Sequence, residues 1–193
     1  EANARGIETL PAFFDDKLAD TIEPADVVIA LNVLGHVPDP NGFVRGIRKI
    51  LKPDGVAVIE VPYVRDMVDH CEVDTIYFEH IFYWSATALE QLFKRNDMMV
   101  ERIERIDIHG GSLRVYVTHP KESYNREKNK LLQTEKLLGI DRIDYYRDFS
   151  IRAYEMIDDL YNTLNELRCL DAKTIVGYGA AAKGVMLTNL IPA

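Results

Sequence analysis

The chain has 193 residues, 47% of them hydrophobic, which is enough to bury the core of one domain or parts of two. Lysine and arginine number 23 against 31 acidic residues, a net charge of −8 with no basic run, which argues against nucleic acid and anionic membrane surfaces as partners. Two distant cysteines (Cys71 and Cys169), no visible signal peptide and no apolar run of about 18 residues point to a reducing cytoplasm and no membrane span.

In chain order, Glu1 to Gly6 reads as the end of a helix, and Ile7 to Phe14 as a short apolar run. Ala25 to Leu34 is a continuous β-branched stretch, expected of a buried parallel strand. Pro40 to Leu51 places Phe43, Val44, Ile47, Ile50 and Leu51 at helical spacing. Lys52-Pro53-Asp54-Gly55 has turn chemistry, and Val56 to Val61 predicts a second buried strand. Strand, helix and strand in that order imply a parallel crossover.

Ser85 to Arg95 predicts a serine-capped helix with Ala88, Leu89, Leu92 and Phe93 on its apolar face. Val100 to Ile108 and Ser112 to Thr118 read as two strands joined through His109-Gly110-Gly111, expected to pair antiparallel. Lys121 to Leu170 is charged and helical in period, with a break near Gly139-Ile140-Asp141. Tyr145, Tyr146, Tyr154 and Tyr161 recur there at roughly helical spacing, which suits packing. Lys173 to Tyr178 predicts a short strand, and the helix after it stops at Pro192. One strand, a glycine turn and one helix cannot bury their own faces, so this end reads as the opening of a second α/β domain.

Four segments carry possible chemistry. Tyr77, Glu79 and His80 lie within four positions among aromatic residues. A neutral imidazole is a base near pH 7, a phenol donates a hydrogen bond, and a carboxylate can orient the ring. Such strings also arise by accident on surfaces and in cores. His36, in Asn32-Val33-Leu34-Gly35-His36, falls where a strand ends, the edge at which open α/β sheets bind ligands. It reads equally as a capping or loop histidine. His109-Gly110-Gly111-Ser112-Leu113-Arg114 joins exposed amides to a hydroxyl and a guanidinium, suited to a phosphate or a sugar, or to a plain hairpin turn. Gly177-x-Gly179 followed by Gly184 opens a helix after a strand, a context for an anion, with Lys183 available to a phosphate. Its third glycine comes later than in the usual dinucleotide fingerprint, so a packing turn reads equally well.

These segments stand in one order: Asn32 to Asp39, Leu51-Lys52-Pro53-Asp54-Gly55, Ile59-Glu60-Val61-Pro62, Asp74 to His80, His109 to Tyr116 and Gly177 to Gly184. In that order the chain resembles the S-adenosylmethionine-dependent sugar C-methyltransferases, which methylate C3 of dTDP-4-keto deoxysugars. The Leu-Lys-Pro-Asp-Gly element is common to many class I methyltransferases. The Tyr-x-Glu-His and His-Gly-Gly-Ser-Leu-Arg pair is more specific. Where the family's motif has a histidine between tyrosine and glutamate, this chain has Phe78.

The resemblance implies an α/β chain in three parts. Residues 1–120 would be the C-terminal part of a Rossmann-like class I methyltransferase core, 121–171 a helical connector, and 172–193 the first β-α unit of a second Rossmann-like domain. The glycine-rich cofactor motif, the acidic ribose ligand and a small N-terminal zinc domain are expected outside these residues. The cofactor is then S-adenosylmethionine, with zinc confined to that further domain, and the partner is a nucleotide sugar. His80 would be the base, oriented by Glu79. Tyr77 or His36 would donate to the enolate oxygen, and Asn32 would lie near the cofactor. Ser112, Arg114 and Lys183 would hold the substrate. A small-molecule O-methyltransferase and a non-catalytic nucleotide-binding module are the alternative readings.

Overall fold

In a computed structural model, residues 1–122, 125–171, 174–179 and 181–191 are described. The centre is a mixed sheet of four strands: β1 (Ala25–Leu31), β2 (Leu51–Pro62), β3 (Met99–Ile106) and β4 (Ser112–Thr118). Their spatial order is β1-β2-β4-β3. β1 and β2 run parallel, joined by α1 (Pro40–Ile50) as the sequence predicts. β3 and β4 form the expected antiparallel hairpin, and β4 inserts antiparallel beside β2. This is an α/β sheet of the Rossmann-like kind.

Local chemistry explains most boundaries. The Asp39 carboxylate accepts from the Gly42 amide at 2.9 Å and Pro40 takes the first turn of α1, where a missing N–H costs nothing. The buried face of α1 is Phe43, Val44, Ile47 and Ile50. Ser85 caps α3 (Ala86–Arg95) by accepting from the Ala88 amide at 3.0 Å, and Leu89, Leu92 and Phe93 are buried. Both helices close one continuous core with Ile59, Val61, Leu113, Val115 and Val117.

Three expectations change. β1 is not buried on both faces: Val27, Ile29 and Leu31 are 53%, 65% and 47% exposed, because no described element covers them. Lys52-Pro53-Asp54-Gly55 lies within β2 and interrupts its pairing. The register jumps from Ala25↔Leu51 to Val27↔Val56, so the turn chemistry survives as a swelling in the strand. Residues 174–179 form no strand and are exposed, since no neighbouring strand pairs with them; residues 172, 173 and 180 of that segment, and Pro192, lie outside the described residues. The amino-terminal helix end is a 3-10 turn, Asn3–Arg5, closed by left-handed Gly6.

The connector is two helices. α4 (Arg126–Leu138) ends at left-handed Gly139, as the break predicts, and α5 (Ile143–Asp171) follows. α4 packs on β3 and α3, and α5 packs on α2 (Val64–Asp69), a helix the sequence pattern does not reveal. Tyr145 and Tyr146 pack there as expected, whereas Tyr154 is 73% exposed. The last helix, α6 (Ala182–Leu190), packs against the 3-10 turn Val73–Thr75. Among the described residues no helix is long and apolar enough to cross a membrane.

Candidate active site

The site grows from the carboxyl end of β1. Asn32 takes a left-handed backbone (φ 55°), which asparagine tolerates better than most residues. Its amide donates to the Glu60 carbonyl at 2.8 Å and its side-chain amide donates to the Glu60 carboxylate at 3.3 Å. The Asn32 Oδ1 is buried and has no protein partner. The Gly35 carbonyl then accepts from the Ile81 and Phe82 amides at 2.9 and 3.1 Å, which lays the segment after Tyr77 across the β1 loop.

Those bonds bring the histidines together. His36 Nδ1 meets the Glu79 backbone carbonyl at 2.8 Å, and the His36 and His80 rings stand 4.9 Å apart, edge to face. His80 Nδ1 lies 2.9 Å from the Thr75 carbonyl, and Nε2 lies 2.8 Å from the Tyr77 hydroxyl. A carbonyl only accepts, so neutral His80 carries its proton on Nδ1 and offers a bare lone pair at Nε2 to the Tyr77 O–H. Tyr83 donates to the same Thr75 carbonyl at 3.3 Å.

Burial, the chief cause, pushes the His80 pKa below its usual value, with His36 and Lys183 acting the same way; the Thr75 bond and Glu79 oppose this. The imidazole is therefore neutral over a wider range than a free histidine. Burial, and then the Glu79 charge, raises the Tyr77 phenol, which stays a donor at neutral pH. A sign follows for pH. Between the lowered folded value and the usual value of about 6.5, the unfolded chain binds a proton that the native site refuses. Stability falls as pH drops through that window, and the site keeps its base below pH 6.5. An imidazole ¹³C titration by NMR should place the His80 midpoint below 6.5; a midpoint at or above it contradicts the burial argument.

Not every expected residue joins the cluster. The Glu79 side chain is exposed; the Thr75 carbonyl, not the Glu79 carboxylate, fixes the His80 ring. Phe78 is 99% exposed, so its departure from the family motif leaves these hydrogen bonds intact. Ser112 is wholly buried and donates to the Ile108 carbonyl at 2.9 Å. Arg114 pairs directly with Glu60 across β2 and β4, its Nη2 2.9 Å from that carboxylate. Neither Ser112 nor Arg114 lines the cleft, because cross-strand pairing and the turn consume their polar groups.

The structure adds residues the sequence reading passes over. Thr75 acts through its backbone carbonyl, which carries no sequence signal, and its buried hydroxyl has no protein partner. Tyr83 was visible only as one aromatic among many. His109 had a signal, two following glycines. His109, Gly110 and Gly111 all have positive φ (54°, 85° and 130°), a conformation costly for histidine. A Cβ on Gly111 would overlap the Asp66 carboxylate, which is paired with Arg105, so glycine is required there.

A cleft of about 170 Å³ results, lined by Asn32, His36, Thr75, Tyr77, His80, Tyr83, His109 and Lys183 together with Gly35, Pro62 and Phe82. Among the described residues no carboxylate lines it, although the chain is acidic. Among the described residues no cluster of three His, Cys, Asp or Glu could hold a metal ion. A fixed base, an adjacent phenol and orphaned polar atoms at the carboxyl edge of a Rossmann-like sheet have the form of an α/β enzyme site that moves a proton.

Comparison with known proteins narrows that class. Residues 4–102, just over half of the chain, match the family described as Methyltransferase domain, and the chain belongs to that family. Residues 107–192 match a second profile, described as C-methyltransferase C-terminal domain. The first match ends inside β3 and the second begins just after that strand, within one sheet, so their border is not a structural one. The chain is 31% identical over 192 residues to C-methyltransferase NovU of Streptomyces niveus, covering 96% of this chain and 46% of that protein. It thus spans less than half of that relative's length. A 49-residue stretch is 41% identical to a ubiquinone biosynthesis O-methyltransferase of Caulobacter vibrioides, covering 25% of this chain and 19% of that protein. Among solved structures, mitomycin 7-O-methyltransferase MmcR is similar at TM-score 0.49 and 22% identity, over 62% of this chain and 37% of that one.

Proposed function

We propose that this chain is part of a cytoplasmic S-adenosylmethionine-dependent C-methyltransferase that acts at C3 of a dTDP-4-keto deoxysugar through an enolate. The observation that carries the reading is the His80 ring, whose Nδ1 proton is committed to Thr75 while its Nε2 lone pair stands 2.8 Å from a phenol. A hydrogen next to a ketone is acidic because its carbanion is an enolate. In an enolisable ketone the reacting carbon and the oxygen are separated by one carbon, so a base and a hydrogen-bond donor this close can serve both at once. His80 Nε2 takes the proton. Tyr77 turns its O–H from Nε2 to the oxygen, where negative charge develops.

Asn32 is the residue here that suits the cofactor. Its orphaned Oδ1 is an acceptor at a strand end, which fits the ammonium or hydroxyl donors of S-adenosylmethionine. When bound, that cofactor supplies an electrophilic methyl. His36 gives its Nδ1–H to the Glu79 carbonyl, which leaves a lone pair on Nε2 of the neutral ring, so Tyr77 and not His36 is the donor to the oxygen. The likeness to a C-methyltransferase over almost the whole chain supports carbon as the acceptor.

The test uses the full-length gene product and a dTDP-4-keto-2,6-dideoxyhexose in deuterated water, with and without S-adenosylmethionine. Deuterium uptake at C3 without the methyl donor, and C3 methylation with it, is the expected result. Methylation of a hydroxyl with no exchange would assign the protein to the O-methyltransferases instead. Tyr77→Phe should slow exchange by about 10²- to 10³-fold, since one donor to a developing oxyanion is lost. Full activity in that variant would remove Tyr77 from the mechanism.

A further inference from the structure

Lys183 comes from the far end of the chain, yet it lines the cleft beside His80. α6 carries it there by packing against Val73–Thr75, the turn whose Thr75 carbonyl fixes the His80 ring. Among the described residues it is the single ammonium in a lining that contains three imidazoles and two phenols and no carboxylate. Its charge reaches His80, adding to the burial that keeps that imidazole neutral. An acidic chain has thus brought a cation to its base.

We propose that Lys183 is the electrophile of the proton-abstraction step, with its ammonium facing the oxygen that becomes negative as His80 works. The proposal rests on the enolate reading above and gives α6 a direct part in the chemistry. As the C3–H bond breaks, the proton moves to His80 Nε2. The electron pair left behind forms the C3=C4 bond, and the C4=O π pair moves onto the oxygen. Tyr77 O–H and the Lys183 ammonium meet it there, and no further reactant is needed for this half-reaction.

Two physical arguments favour this role over a phosphate anchor. Lys183 lines the same cleft of about 170 Å³ as His80 and Tyr77, the base and the donor of the enolate reading, and does not stand outside it. A cation inside it meets the reacting end. Charge balance also selects the enolate. Proton transfer creates an imidazolium beside Lys183, and two like charges repel unless a negative charge appears between them. The enolate oxygen supplies that charge, so the same lysine that disfavours resting imidazolium favours the ion pair formed in the reaction.

The experiment compares wild type, Lys183→Met and Lys183→Arg in the full-length gene product, by C3 exchange in deuterated water without methyl donor. Lys183→Met should lower kcat for exchange about 10²- to 10³-fold with KM changed by less than about threefold, and Lys183→Arg should recover most of the rate. Without any substrate, the His80 midpoint measured by NMR should rise in Lys183→Met, which also reports that the site is folded. An unchanged kcat with a raised KM would assign Lys183 to a remote anionic group and overturn the proposal. An unmoved His80 midpoint would overturn it too. Absence of exchange in the wild type would instead overturn the enolate reading, and this proposal with it.

Discussion

His80→Asn should reduce C3 proton exchange by about 10²- to 10⁴-fold while leaving the fold intact, the range a positioned general base supplies. Asparagine keeps a donor that can satisfy the Thr75 carbonyl, the partner of Nδ1 in the native ring. It has no basic lone pair to set beside Tyr77. The contrast between retained packing and lost basicity makes it a cleaner variant than alanine, which would also remove the donor to the Thr75 carbonyl. Exchange should be read without the methyl donor, so that any effect on methyl transfer stays out of the rate. Thermal unfolding of the variant should match the wild type. Undiminished exchange would show that His80 is not the base, and His36, whose ring lies 4.9 Å away, would be the next candidate.

The largest stability effect is expected at Glu135, far from the cleft in sequence and chemistry. It is 1% exposed on α4, and its carboxylate accepts from the Tyr63 hydroxyl at 2.8 Å and from the Ala86 and Thr87 amides at 2.7 Å each. The Thr87 hydroxyl adds a fourth bond at 2.5 Å. Ala86 and Thr87 open α3, so the carboxylate satisfies amides that have no partner inside their own helix and sits at its positive end. Burial, and then the charge of Glu135, raises the Tyr63 phenol, which therefore remains a donor across the accessible pH range. Glu135→Ala strands these donors and opens a void, and should cost about 3–5 kcal/mol. Glu135→Gln keeps the volume but turns one acceptor into a donor, and should cost less. Denaturant titration measures both, and amide hydrogen exchange at Ala86 and Thr87 localises the effect. A loss below about 1 kcal/mol in Glu135→Ala would mean that water replaces the carboxylate. The latch ties the connector to Tyr63, next to the cleft residue Pro62, so the connector is built into the domain that carries the site and does not hang from it as a loose arm.

How much of this was legible beforehand depends on the range of the forces involved. Asp39 before Pro40, Ser85 before an apolar helical face, two glycines between strand patterns and Gly139 inside a charged helical run each act on neighbours within a few residues. Those features announced α1, α3, the β3–β4 hairpin and the α4–α5 break. Tyr77 and His80 were visible as a pair for the same reason, being one turn of chain apart and in fact 2.8 Å apart.

What the sequence could not decide was where long-range pairing would send its polar groups. Arg114 looked free to meet a phosphate, but the β2–β4 register places it opposite Glu60, and the nearest opposite charge takes it. Glu79 looked like the partner of His80, but the chain turns so that a backbone carbonyl does that work and the carboxylate faces water. Residues 174–178 have a strand's composition and no strand beside them, and a strand exists only when its N–H and C=O groups find a neighbour. The insertion of β4 between β2 and β3, the burial of Glu135 and the arrival of Lys183 beside His80 all join parts of the chain that are remote in sequence. By itself the sequence determined the local elements and the chemistry available to them. The tertiary structure decided which side chains were consumed in holding the fold and which were left free to act on a ligand.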